Sequence, residues 1–461
     1  MTTIHTAQAA NFGWLSIVRV GLVQAALGAM VVLTTSTLNR VMVVELALPA
    51  LLPGFLVALH YLVQVARPRM GFGSDVGGRR TPWIVGGMGV LASGGVLASV
   101  ATAWMGSNRP AGIALAVLAF CLIGLGVSAS GTSLLVMLAK RVEPSRRAAA
   151  ASIVWMMMIF GFAVTASFAG KLLDPYSPTR LVLVTAAVCC LAFMLALVAI
   201  YKLEDGTSVA QFPDAHAASK PTFRAALLQV WAEPAARQFT IFVFISMLAY
   251  SAQDLILEPF AGTVFGFTPG QSTQLSGLQH GGVLMGMILV ALAGVLGARW
   301  GRQPALRHVG SLRGWTVGGC VASAVALAGL SAAGFTGPTW PLNATVFALG
   351  VANGAFSIGA ISSMMRLASQ GADAREGVRM GLWGAAQAVA FGLGGLLGTA
   401  ASDLARWLIA SPGAAYASVF AFEALLFVLS AALAWQVGKS DKQATPVPER
   451  QSIPFSLASH S

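Results

Sequence analysis

The chain places few large polar side chains inside its long apolar stretches. They include His60 and Gln64; Gln253, Asp254 and Glu258; Gln279 and His280; and single residues at Asn353, Gln387 and Glu423. Each must find a partner or serve a purpose, because burying polar groups in a low-dielectric medium is costly. Asp254 and Glu258 are four apart and share one face of a helix, an arrangement that suits proton carriage or cation binding. Glu258 is followed by Pro259, so the alternative reading is a solvated acid at a helix end. His60 and His280 offer neutral imidazoles, which are good metal ligands; otherwise they hydrogen-bond to a facing helix. Gln64, Gln253 and Gln279 flank these groups as further binding candidates. No nucleophile–base spacing or phosphate loop accompanies them, and no catalytic residue is assigned. Cys121, Cys189, Cys190 and Cys320 all fall in apolar runs and read as small buried hydrophobes, not as a metal site.

The elements that hold these residues follow from composition. Of the 461 residues, 10% are charged and 56% hydrophobic, against about 25% charged in typical soluble proteins. Mean hydropathy is +0.76. The reading is an all-α, polytopic membrane protein with twelve transmembrane helices. They are expected near 15–38, 47–66, 82–105, 111–139, 148–170 and 180–201, and near 238–260, 272–298, 309–333, 341–365, 377–402 and 412–437. Two six-helix bundles, 1–201 and 238–438, are then joined by a cytoplasmic linker at 202–237, with a tail at 439–461.

Charge fixes the expected topology. The loops 67–80, 140–147, 202–237, 299–313 and 366–379, with the tail, hold 22 of the 28 Lys and Arg residues. Both termini are therefore expected in the cytoplasm and the span count is even. The same asymmetry explains the net charge of +12 without nucleic acid. Arg19 lies in the first span, where its stem can snorkel. Four-residue glycine spacings at Gly282/Gly286, Gly350/Gly354, Gly377/Gly381 and Gly394/Gly398 predict close helix packing.

The loop Gly71-Phe72-Gly73-Ser74-Asp75-Val76-Gly77-Gly78-Arg79-Arg80 combines a tight glycine turn, an acid suited to a helix N-terminus and paired basic residues. Gly71, Asp75, Gly78, Arg79 and Arg80 resemble the signature loop between the second and third helices of the major facilitator superfamily. A degenerate second copy follows the eighth span: aligning Gly71 with Gly294 puts Gly78 on Gly301, Arg79 on Arg302 and Asp75 on Ala298. On that repeat, His280 falls one helical turn from the position equivalent to His60. The resemblance implies the facilitator fold, with a central site between the halves.

Three segments carry a narrower resemblance: Arg19 to Gln24, Leu38-Asn39-Arg40 through Glu45-Leu46, and Gly71 to Pro82. Together they are similar to the PucC-type bacteriochlorophyll delivery family of purple phototrophs, over residues 14–438. The resemblance implies an assembly factor for light-harvesting antenna complexes that binds bacteriochlorophyll a as cargo and delivers it to antenna polypeptides. It implies a photosynthetic inner membrane as location and leaves open the pigment synthase as a partner besides membrane lipid. Imidazole is a common axial ligand to chlorophyll magnesium, so His60, His280, Gln64, Gln279 and Gln253 become pigment-binding candidates, with Asp254 and Glu258 as cavity acids. Two alternatives remain: a proton-coupled transporter of a small solute, and a scaffold that binds antenna helices and moves nothing.

Overall fold

The computed structural model describes residues 12–64, 79–143, 146–204, 231–300, 311–369 and 376–443. These form long helices joined by short links, with no strand among the described residues. The helices are α1 (Trp14–Thr35), α2 (Leu51–Val63), α3 (Thr81–Met105), α4 (Arg109–Arg141), α5 (Arg147–Leu173), α6 (Pro178–Ile200), α7 (Pro234–Phe265), α8 (Pro269–Trp300), α9 (Leu312–Thr336), α10 (Leu342–Ser369), α11 (Glu376–Leu408) and α12 (Pro412–Gln443). Among the described residues, eleven helical stretches are long and apolar enough to cross a membrane, and α2 is a shorter apolar helix.

Local signals set the helix ends. Asn108 accepts from the Ala111 N–H at the start of α4, Ser177 from the Arg180 N–H at α6, and Ser311 from the Gly314 N–H at α9. Each fills one of the donors that a first turn leaves open. Pro110, Pro178 and Pro234 sit in first turns, where a missing N–H is harmless. Gly266, at φ 68°, ends α7 in the left-handed region. Helix α1 continues past a break at Ser36 into a short helix, Thr37–Arg40, and a π-helical turn, Val41–Glu45.

The chain is built twice. Helix α1 packs on α5 and α6, α3 on α4 and α6, and α2 on α4; six helices later, α7 packs on α11 and α12, α9 on α10 and α12, and α8 on α10. One hydrophobic core is built almost wholly from α1–α6, with Leu255 joining it, and another from α7–α12. The halves meet mainly through α5 with α8 and α2 with α11.

Small residues permit these contacts. A Cβ added at Gly282 would lie 2.5 Å from the Phe347 carbonyl oxygen, at Gly354 2.0 Å from that of Val283, and at Gly394 2.4 Å from that of Leu248. The glycine spacings are packing devices, as expected; Gly377 and Gly381 lie outside the residues whose side chains are described. Arg19 Nε donates to the Ala199 carbonyl at 2.9 Å, and the guanidinium also reaches Tyr201 O. Beyond snorkelling, Arg19 satisfies the terminal carbonyls of α6.

Gly71, Asp75 and Gly78 of the loop motif lie outside the described residues, as do Gly301 and Arg302 of its second copy. Arg79 is exposed and Arg80 buried at the entry to α3. Among the described residues, the acid at this helix N-terminus is Glu204, just beyond α6. It accepts from the N–H groups of Arg80 (2.9 Å) and Thr81 (2.8 Å) and from Thr81 Oγ1 (2.7 Å). Partial burial pushes the Glu204 carboxyl up, but the Thr81 and Arg80 hydrogen bonds and the Arg141 charge outweigh it, so its pKa lies below the ordinary carboxylate value.

Candidate functional site

Between the halves lies a cavity of about 390 Å³, lined from α1, α2, α4 and α5 on one side and α7, α8, α10 and α11 on the other. Its polar wall comprises Gln24, His60, Gln64, Asp254, Gln279, His280 and Gln387. Among the described lining residues Asp254 is the one carboxylate, and none is Lys or Arg. Aromatic rings face the rest: Tyr61 stacks on Phe391 across the halves (centroids 5.6 Å apart, planes 20° apart), and Tyr250 meets the same Phe391 edge-on at 5.9 Å. Met158, Met247 and Met287 add pliable apolar surface.

The two histidines enter this cavity from equivalent helices, but their lone pairs differ. Gln64 Nε2 lies 2.8 Å from His60 Nε2. An amide NH₂ only donates, so the His60 Nε2 lone pair is occupied by the neighbour one turn along α2. His280 Nδ1 lies 2.8 Å from the Ser276 carbonyl oxygen. A carbonyl only accepts, so Nδ1 carries the proton and Nε2 keeps its lone pair on the edge facing away from α8. Phe162 of α5 meets the His280 ring edge-on at 5.0 Å and 86°. It fixes the ring plane from the opposite half.

The remaining candidates divide. Gln279 is buried and donates to Asp254 Oδ1 at 3.3 Å, tying α8 to α7. Gln253 is fully buried away from the cavity, and neither end of its amide is hydrogen-bonded. Its expected place in the binding site is therefore corrected: Asp254 takes the cavity face of α7, and Gln253, one residue earlier, is turned about 100° into the packed bundle. Glu258 is likewise not a cavity acid. Helix α7 runs through Pro259 to Phe265, and Glu258 is buried, so the solvated helix-end reading fails as well. Near Glu258 the space is closed by the end of α1: its carboxyl faces Ser36, Ser276 and the Arg40 guanidinium.

That closure is a polar seal across the halves, made by residues that the sequence reading did not single out as site residues. Asn39 Nδ2 donates to the Leu255 carbonyl at 2.6 Å, and Thr37 Oγ1 meets Thr273 Oγ1 at 3.0 Å. Buried Arg40 binds Glu45 at 2.7 Å and the Phe267 carbonyl at 2.6 Å. Gly262 gives the guanidinium its room, since a Cβ there would lie 2.9 Å from Arg40 Nη2. Asp174 accepts from Thr268 Oγ1 at 2.8 Å, and Asp403 from the N–H groups of Ala50 (3.0 Å) and Leu51 (2.7 Å). The Asn39-Arg40 to Glu45 run was the available signal. It places opposite charges five residues apart, and the π turn brings residues 40 and 45 together.

Comparison with known proteins places this architecture. Residues 37–442 match the PUCC protein family. The chain belongs to the PucC family. A family relative from Rhodobacter capsulatus described as "Bacteriochlorophyll synthase 44.5 kDa chain" is 51% identical over 92% of this chain and 95% of its own length. "Protein PucC" of the same species is 30% identical over 91% of each chain. Among solved structures, a bacterial homolog of the lysosomal transporter Spinster superposes with a TM-score of 0.68, at 15% identity over 94% of this chain and 98% of its own. A peptide transporter of the POT type gives 0.67 at 13% identity, over 94% and 98%. The PucC-family chain is thus a multi-pass, all-α membrane protein with the major facilitator fold and a link to photosynthetic pigment.

Proposed function

We propose that this protein is a light-harvesting assembly factor that binds bacteriochlorophyll in the membrane and delivers it to antenna polypeptides, performing no chemistry of its own. The observation that carries this reading is the cavity lining. A site whose described lining residues include no Lys or Arg and a single carboxylate is poorly matched to an anionic or zwitterionic solute, which needs charge complementarity. Aromatic rings, methionines, amide donors and imidazoles instead suit a flat, mostly apolar ring with acceptors on its edge. The printed description of the relative that is 51% identical supports a pigment-related role. The excess of basic residues in alternate loops supports cytoplasmic termini, and the family relationship supports a photosynthetic membrane as the location.

The test is the absorption spectrum of the full chain purified from a pigment-producing host. Bacteriochlorophyll bands at a fixed ratio to protein are expected. Asp254, bonded to Gln279 inside the cavity, favours a second reading as a proton-coupled transporter. Colourless protein that drives solute uptake into vesicles under a pH gradient would establish that reading instead.

A further inference from the structure

The geometry points to His280 Nε2, and not His60, as the ligand to the central magnesium of a chlorophyll-type macrocycle in the cavity. This rests on the pigment-binding reading above and assigns its axial bond. An imidazole that ligates a metal through one nitrogen characteristically donates its other N–H to a carbonyl or carboxylate, which fixes the tautomer and raises ligand basicity. His280 has that arrangement already: Nδ1 bonds to Ser276 O at 2.8 Å, on its own helix. The partner is a backbone carbonyl inside α8, so the orientation does not depend on a mobile side chain. Phe162 holds the ring edge-on from the opposite half. His60 lacks the feature. Its Nε2 is engaged by Gln64, and that bond must break before a metal can bind there.

The same arrangement suggests how the ligand is released. The ring is positioned by Phe162 of α5 and by Ser276 of α8, elements from opposite halves that pack together. Sliding of α5 against α8 would move Phe162 away from the imidazole while the bond to Ser276 is kept. The axial bond would then lose its fixed ring plane without losing its tautomer.

The test compares binding of bacteriochlorophyll a, its zinc-substituted form and its magnesium-free form to the purified full chain. The wild type should prefer the metal-containing forms by about tenfold, the lower end of what one group in a metal's coordination environment is worth. The His280→Ala variant should bind all three alike, and added imidazole should restore both the preference and the coordination-sensitive absorption band. Restoration by imidazole also shows that the variant is folded. His60→Ala should retain the metal preference, whatever its total affinity. An undiminished preference in His280→Ala, or one lost only in His60→Ala, overturns the assignment while leaving pigment binding intact. Failure of the wild type to bind any of the three overturns the pigment reading itself.

Discussion

The sealed end and the cavity use polar residues in opposite ways. At the seal, charged and amide groups bond across the halves: Asn39 to Leu255, Arg40 to Phe267, Asp174 to Thr268, Asp403 to the start of α2. In the cavity, polar groups bond mostly within one half, as His60 with Gln64, Gln279 with Asp254 and His280 with Ser276 do. The first pattern stabilises one arrangement of the two halves. The second leaves hydrogen-bonding and ligating capacity facing a largely apolar space, while the contacts that cross the halves there are aromatic, Tyr61 on Phe391 and Phe162 on His280. Contacts that join the halves and the proposed binding site therefore lie at different depths of the same interface.

The largest break in this comparison is expected from Arg40→Ala. It leaves Glu45 without its partner and removes a bond to the opposite half, and should lower stability by about 3 kcal/mol, the low end for a broken buried pair, because Glu45 is one-third exposed. Thermal unfolding in detergent measures it. Gln387→Ala, a cavity change, should shift the midpoint far less; equal shifts would erase the distinction between the regions.

Gly170→Ala comes next. Its Cβ would lie 2.6 Å from the Gly270 carbonyl oxygen and 2.9 Å from the Gln274 nitrogen, and backbone atoms cannot swing aside. Overpacking of this kind costs about 1–3 kcal/mol. Gly281→Ala, with nothing within 4 Å of its Cβ, should be neutral or stabilise the helix by up to about 1 kcal/mol. Denaturant midpoints of the two variants separate the cases.

Glu204→Gln should give a smaller, pH-dependent loss. A carboxyl whose folded pKa is depressed contributes stability above its unfolded value, about 4.3, and that contribution disappears as pH falls through the folded value. The gap between wild type and variant should thus be full near pH 7 and close on acidification; a constant gap in unfolding midpoints across that range would refute the capping role. The smallest effect is expected from Asp254→Asn, the change to the cavity carboxylate, which should leave antenna assembly largely intact at normal protein abundance. Lost assembly would favour proton coupling.

The sequence by itself determined the number and type of helices, because twenty-residue apolar runs have few fates in a bilayer and alternating basic loops count the crossings. It also determined which histidines and acids stand inside the membrane, and that α2 and α8 occupy equivalent places in the repeat. Only the tertiary structure decided what those residues do. Gln253 and Asp254 are adjacent in sequence, yet one is packed into a bundle and the other faces the cavity. Glu258 shares a face with Asp254 but belongs to the seal, because the end of α1 closes over α7 at that level. His60 and His280 look alike as letters; a glutamine side chain one turn after one, and a backbone carbonyl one turn before the other, decide which keeps a lone pair. Helical periodicity gives the direction of a side chain, and only the packing of one half on the other gives what it meets.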